Sequence, residues 1–151
     1  MKKIPGILIF VLIALLLIGT AYAKFSKPDE AIAYRKSVMT IIAQHFKRMG
    51  LVVKGKTEYE KAAFSADADI VKMMATLPWE AFLEPRSDRG NTKMKSAVFK
   101  NVAEFKKAAA SFETATAQLA DTAQSGDLKA IRAQFGKVAQ SCNSCHKKFQ
   151  K

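Results

Sequence analysis

The sequence predicts an all-α protein, an antiparallel up-down-up-down four-helix bundle, on two observations. Four stretches of similar length repeat apolar residues in alternating steps of three and four, which lays one stripe along a helix facing a bundle core. The breaks between them are mostly short and carry glycine or capping residues. Nowhere does the chain alternate apolar and polar residues with the period of two that marks a half-buried strand.

The chain opens on Met1-Lys2-Lys3 and an uncharged run from Ile4 to Ala23 that is strongly apolar through Ile18 and ends Ala21-Tyr22-Ala23. Residues 1–23 therefore read as a secretory signal peptide with a small-x-small cleavage site. The alternative is an uncleaved anchor, since the run is just long enough to span a bilayer. The domain is then residues 24–151, starting at Lys24, enough for one small core. Cleavage removes Lys2, Lys3 and no acid, so 25 basic residues become 23 against 13 acidic, a net charge of +10. A basic surface suits nucleic acid, anionic membrane or acidic proteins. Export argues against nucleic acid, and membrane contact follows only if the leading segment is retained. What remains is a solvated face or steering toward an acidic redox partner.

The first helix is predicted from Asp29 to about Val53, opened by Ser26 and by Pro28, whose missing N–H does no harm near a helix start. Its stripe is Ile32, Arg35, Met39, Ile42, Phe46, Met49 and Val53, and Lys54-Gly55-Lys56 ends it. Thr57 and Glu60 have the spacing of a capping box for the second helix, whose stripe reads Tyr59, Ala63, Ala66, Ile70, Met73 and Leu77 and which must end before Pro78. Trp79 to about Lys93, with Pro85 and Gly90, is the one long irregular connection. The third helix runs from about Met94 or Asn101 to Ala123, with Val98, Val102, Phe105, Ala109, Phe112, Thr116, Leu119 and Ala123 on its seam. Ser125-Gly126-Asp127 turns the chain into a fourth helix carrying Leu128, Ile131, Phe135, Val138, Cys142, Cys145 and Phe149. Gly136 costs this helix about 1 kcal/mol relative to Ala, a cost met either by close approach of a neighbour or by simple tolerance.

The end of that helix carries the chemistry. Cys142-Asn143-Ser144-Cys145-His146 has the C-x-x-C-H spacing that attaches a c-type haem: two sulfurs on one helical face bond the vinyl groups along one haem edge, and the adjacent histidine reaches the iron. A zinc site would need further ligands, but no other Cys exists to complete one and His45 is the only other His. A thioredoxin-like pair would need a βαβ setting. One covalent haem c follows, with Cys142 and Cys145 as attachment points and His146 as metal ligand. Because both cysteines lie on the seam, the haem must lie inside the bundle.

Function turns on what faces the iron opposite His146. Met39, on the first-helix seam, either binds it or merely covers it. His45 follows Met39 by six residues, about 240° around the helix, and falls off the central line. Arg35 is the one charge on an apolar seam and needs either an anion, for which a haem propionate serves, or a route to solvent near Asp29 or Glu30. Trp79 and Phe82 pack either against the haem rim or simply into the fold. With no second histidine or carboxylate on the first-helix seam to act as acid or base, an enzyme such as a peroxidase is poorly supported.

Taken together, Ala31-Ile32-Ala33-Tyr34-Arg35 followed by Met39 and His45-Phe46, then Leu77-Pro78-Trp79-Glu80-Ala81-Phe82, then Ser141-Cys142-x-x-Cys145-His146, resemble the cytochromes c′, the class II c-type cytochromes. A C-x-x-C-H at the C-terminus separates this class from class I, and the resemblance covers essentially all of residues 24–151. It implies a periplasmic, usually homodimeric bundle with high-spin five-coordinate haem that binds nitric oxide and carbon monoxide; the leading expectation is a non-enzymatic haem protein that captures such a gas and passes electrons. The alternative within the class is a low-spin, Met39-ligated electron carrier. By position the resemblance puts a propionate-binding residue at Arg35, a cover for the vacant iron face at Met39, and haem-pocket aromatics at Trp79 and Phe82. Many relatives carry Arg or Lys four residues after the ligand histidine; here Gln150 stands there, one helical turn beyond His146 if the helix continues.

Overall fold

Pro28 occupies the first turn of α1 (Pro28–Val53), with Asp29 and Glu30 beside it, where acids favour the helix dipole. The structure is a computed structural model and describes residues 24–151; the leader expected over residues 1–23 lies outside them. Lys27, not Ser26, is the N-cap and contributes no side-chain bond, while the Ser26 backbone N–H donates to Glu30 Oε2 at 3.1 Å. At the far end Gly55 takes φ 68°, and the N–H groups of Gly55 and Lys56 reach back to the carbonyls of Val52 and Leu51, both at 2.9 Å, closing α1 with a Schellman motif.

α2 is Lys61–Met74. Glu60 is itself the N-cap and its side chain makes no capping bond, so the Thr57–Glu60 box does not form. The buried stripe also differs from the one expected. Phe64, Ala68, Val71 and Ala75 face inward, whereas Ala63, Ala66, Met73 (59% exposed) and Leu77 (38% exposed) face outward, and Ile70 is half-buried. Both series run in steps of three and four, so spacing alone cannot choose between them. Two contacts fix the rotation: Phe64 packs on Tyr59 with ring centres 5.9 Å apart, and Asp67 turns toward His45 and Arg48 of α1.

Beyond Pro78 come one helical turn, α3 (Trp79–Phe82), a series of bends, and a second turn, α4 (Ala97–Lys100). Asn101, with φ −133°, separates α4 from α5 (Val102–Ser125), so the third long helix starts later than Met94. Val102 lies 36% exposed at its first turn, outside the buried seam that begins at Phe105. Gly126 ends α5 at φ 77°, and Asp127 caps α6 (Leu128–Phe149), accepting from the N–H groups of Lys129 and Ala130.

α1 packs on α2, α2 on α5 and α5 on α6, giving an up-down-up-down bundle whose α1/α6 side is the least closely packed. Where α1 and α6 do meet, Phe46 stacks on Phe135 with ring centres 4.1 Å apart, and the ring of Phe135 comes within 3.3 Å of where a Cβ on Gly50 would stand. Nothing lies within 4 Å of such an atom on Gly136, so tolerance, not close approach, accounts for that glycine. The chain ends in a short antiparallel strap. Met94 pairs with Gln150, the Lys95 N–H donates to the Phe149 carbonyl at 2.9 Å, and the Lys151 N–H donates to the Lys93 carbonyl at 2.7 Å.

Candidate functional site

The loosely packed side opens into a cavity of about 840 Å³. α1 contributes Met39, Ile42 and Phe46 to its wall, and α6 contributes Cys142, Cys145 and His146. Trp79, Phe82, Phe105 and Phe112 form an aromatic side, with Trp79 edge-on to Phe105 and Phe112 at 6.0 and 6.1 Å. The lining residues include Lys36, Lys47 and Lys93 but no Asp, no Glu and no histidine besides His146.

Three positions of one helix bring the motif together. Cys142 packs against the main core, Cys145 against the smaller cluster of Met94, Val98, Phe105 and Phe149, and His146 stands exposed at the cavity edge. Burial pushes the Cys142 thiol up to about 11, the neighbouring Cys145 adding to it, and burial raises Cys145 as well. Both are therefore neutral thiols at pH 7, in surroundings that suit an uncharged thioether better than a metal thiolate. Among the described residues, no group of three or more His, Cys, Asp or Glu is placed to hold a metal ion.

Arg35 is only 2% exposed, and its neighbours are neither Asp29 nor Glu30. Its terminal nitrogens donate to the Ala81 carbonyl at 2.7 Å, Ser87 Oγ at 2.9 Å, the Ser87 carbonyl at 2.5 Å and Thr92 Oγ1 at 2.8 Å. All four acceptors belong to the α2–α5 connection, and the Phe82 ring lies 4.9 Å from the guanidinium carbon. Burial lowers the Arg35 pKa to about 10, with Asp88 partly opposing, so the group stays cationic at neutral pH. The Trp79 Nε1–H is buried with no partner at all. His45 does not line the cavity; its Nδ1 lies 2.8 Å from Asp67 Oδ1, on the α1/α2 side. Gln150 is no continuation of the helix beyond His146: it is the extended C-cap, held by its pairing with Met94.

A family model described as cytochrome c′ matches residues 30–150. The chain belongs to the cytochrome c′ family. It is 37% identical to the cytochrome c′ of Alcaligenes xylosoxydans over 85% of this chain and 98% of that protein. The cytochrome c′ of Rubrivivax gelatinosus superposes with a TM-score of 0.80 at 36% identity, covering 85% of this chain and all of the other. Similar too, at 37% identity and a TM-score of 0.79 over 85% of this chain, is a variant of the Alcaligenes xylosoxidans protein, 98% covered and solved as its nitric oxide complex; another variant carries carbon monoxide.

Cytochromes c′ carry haem c bound covalently through cysteines, and that is the cofactor of this chain. The residues present fit it. An apolar slot with an aromatic side, a buried cation, an orphaned indole N–H and a basic rim is complementary to a flat ring system bearing acidic groups. The sequence did not mark Ser87 and Thr92, which hold Arg35, because they lie in a stretch without periodicity. Phe105 and Phe112 were visible only as core seam; nothing in their spacing says that one side of them faces a cavity.

Proposed function

We propose that the chain, once cleaved after Ala23, is a periplasmic c-type haem protein that binds nitric oxide and carbon monoxide and passes single electrons. Within it, Cys142 and Cys145 form the thioethers and His146 binds the iron. The supporting observation is the asymmetry of the cavity wall: His146 is its one histidine, and the facing α1 surface of Met39, Ile42 and Phe46 carries no acid or base. When bound, haem would supply a redox-active iron, and Met39, on the wall facing His146, would cover it without binding it. An apolar cover admits nitric oxide and carbon monoxide but gives dioxygen no hydrogen-bond donor, and it offers no general acid or base for an enzymatic reaction. The orphaned Trp79 Nε1–H would donate to a propionate, and Arg35 would neutralise propionate charge from within the wall while it holds the α2–α5 connection. The gas complexes of the Alcaligenes relative support the ligand class. Among the described residues Ile41, Met73, Leu77 and Val102 are the large apolar side chains left exposed, and a homodimer would cover part of this surface.

One observation favours the second reading, a low-spin electron carrier: the Met39 side chain lines the same cavity as His146. Absorption and EPR spectra of the parent and of Met39→Ala decide between them. The expected outcome is high-spin five-coordinate spectra for both, with faster carbon monoxide binding in the variant. A low-spin parent turned high-spin by the substitution would make Met39 a ligand. Intact mass is expected to show one haem on a chain beginning at Lys24.

A further inference from the structure

The positive charge of this molecule is placed almost wholly on one side. Residues 31–57, most of α1 and the turn after it, carry six basic side chains and no acid; residues 128–151, α6 and the chain end, again carry six and none. The other described residues carry eleven bases against thirteen acids, so they are slightly negative. α1 and α6 are also the two helices that flank the open side, and the exposed lysines at the cavity edge, Lys36, Lys47 and Lys93, have no acidic residue among the other lining groups. Two of the twelve bases in those two stretches are offset by acids of the neighbouring helices, Arg48 by Asp67 and Lys148 by Glu104, and outside the stretches Lys72 bonds Asp121 and Lys24 pairs with Glu80; among the described residues Lys36, Lys47 and Lys93 pair with no acid. A dipolar distribution of this kind orients an approaching charged body as well as attracting it.

We propose that the cavity mouth between α1 and α6, ringed by Lys36, Lys47 and Lys93, is the docking surface for an acidic electron-transfer protein, an inference that rests on the haem function proposed above. Docking there places the partner against the side where the cofactor slot reaches the surface. The exchange is a single electron: the partner's centre is oxidised by one as the ferric iron becomes ferrous, with no proton moved and no bond broken. The slightly negative α2/α5 side repels the same partner, so most misoriented encounters are short-lived. An anionic membrane would also be drawn to the basic face, but none of the large apolar side chains exposed among the described residues, Ile41, Met73, Leu77 and Val102, lines the mouth to insert into it.

The test compares two triple variants of equal net charge, Lys36→Glu/Lys47→Glu/Lys93→Glu at the mouth and Lys61→Glu/Lys72→Glu/Lys106→Glu on α2 and α5. Each is loaded with haem and reduced in a stopped-flow experiment by a plant-type [2Fe–2S] ferredoxin, an acidic one-electron donor. At an ionic strength of about 10 mM the mouth variant is expected to react at least about tenfold more slowly than the parent, with a flattened salt dependence, and the control variant to stay within about threefold; above about 0.5 M the three converge. Equal slowing of both variants would overturn the proposal, because net charge alone would then act. So would an unchanged ferredoxin rate accompanied by lost sedimentation with phosphatidylglycerol vesicles, which would assign the face to lipid. A parent lacking the haem absorption spectrum would instead remove the function on which the proposal rests.

Discussion

Asp67 ties α1 to α2 through a single carboxylate. Burial alone would raise its pKa, but hydrogen bonds from Arg48 and His45, followed by their charges, outweigh that and hold the group below the usual carboxylate value. A depressed folded pKa means that the folded state binds the proton less readily than the unfolded chain. The contribution is therefore fully present above the unfolded pKa of about 4 and disappears as pH falls through the folded value. Asp67→Asn is expected to lower the unfolding free energy in urea by about 1 kcal/mol at pH 7, the gap to the parent closing below about pH 4. A gap that persists into acid would mean that shape, not charge, holds the pair. At this scale the grouping of Cys142, Cys145 and His146 was legible, because the three lie within about one turn of a single helix and share one cavity wall. Arg35 was legible as a charge on an apolar stripe in need of an anion, read as a haem propionate or else a route to solvent, but not as the tie to the α2–α5 connection that it is. Its acceptors, Ala81, Ser87 and Thr92, come from a connection with no repeating pattern, so no spacing rule reaches them.

The helices differ in how far pattern determined them. α1, α5 and α6 each carry a dominant stripe of large residues, and their buried faces follow it closely. α2 carries two stripes one or two positions apart, and small residues make up much of both, so the choice fell to the aromatic bulk of Phe64 and to the polar reach of Asp67 across to α1. Capping was the weakest inference, since Lys27 and Glu60 cap without side-chain bonds while Asp127 caps as its residue type suggests. Two helical glycines separate propensity from packing. Gly136→Ala adds a side chain in open space and is expected to stabilise by up to about 1 kcal/mol. Gly50→Ala gains the same propensity but drives a methyl group toward a Phe135 ring that Phe46 backs at 4.1 Å, so it is expected to be less stable than Gly136→Ala by at least about 1 kcal/mol. Thermal unfolding of the two variants checks both signs; equal gains would show that Phe135 is free to yield.

The whole molecule is two hairpins, α1 with α2 and α5 with α6, joined along the α2/α5 contact and held apart on the other side by a slot for the cofactor. The apolar walls of that slot have little protein to pack against across it, so the haem completes the core as well as carrying the chemistry. The double variant Cys142→Ala/Cys145→Ala, purified without haem, is expected to melt at least about 10 °C below the parent, the shift that about 3 kcal/mol of missing packing causes in a domain of this size. An unchanged midpoint by circular dichroism would show that the hairpins close on each other at no cost. The strap between residues 93–95 and the chain end bears on how the protein ages. Removing Lys151 breaks the bond to the Lys93 carbonyl, and removing Gln150 as well undoes the pairing with Met94, four residues from His146. Trimming these two residues would loosen the end of α6 that carries His146 into the cavity wall, so a preparation's age and protease history would show in the spectrum of its haem.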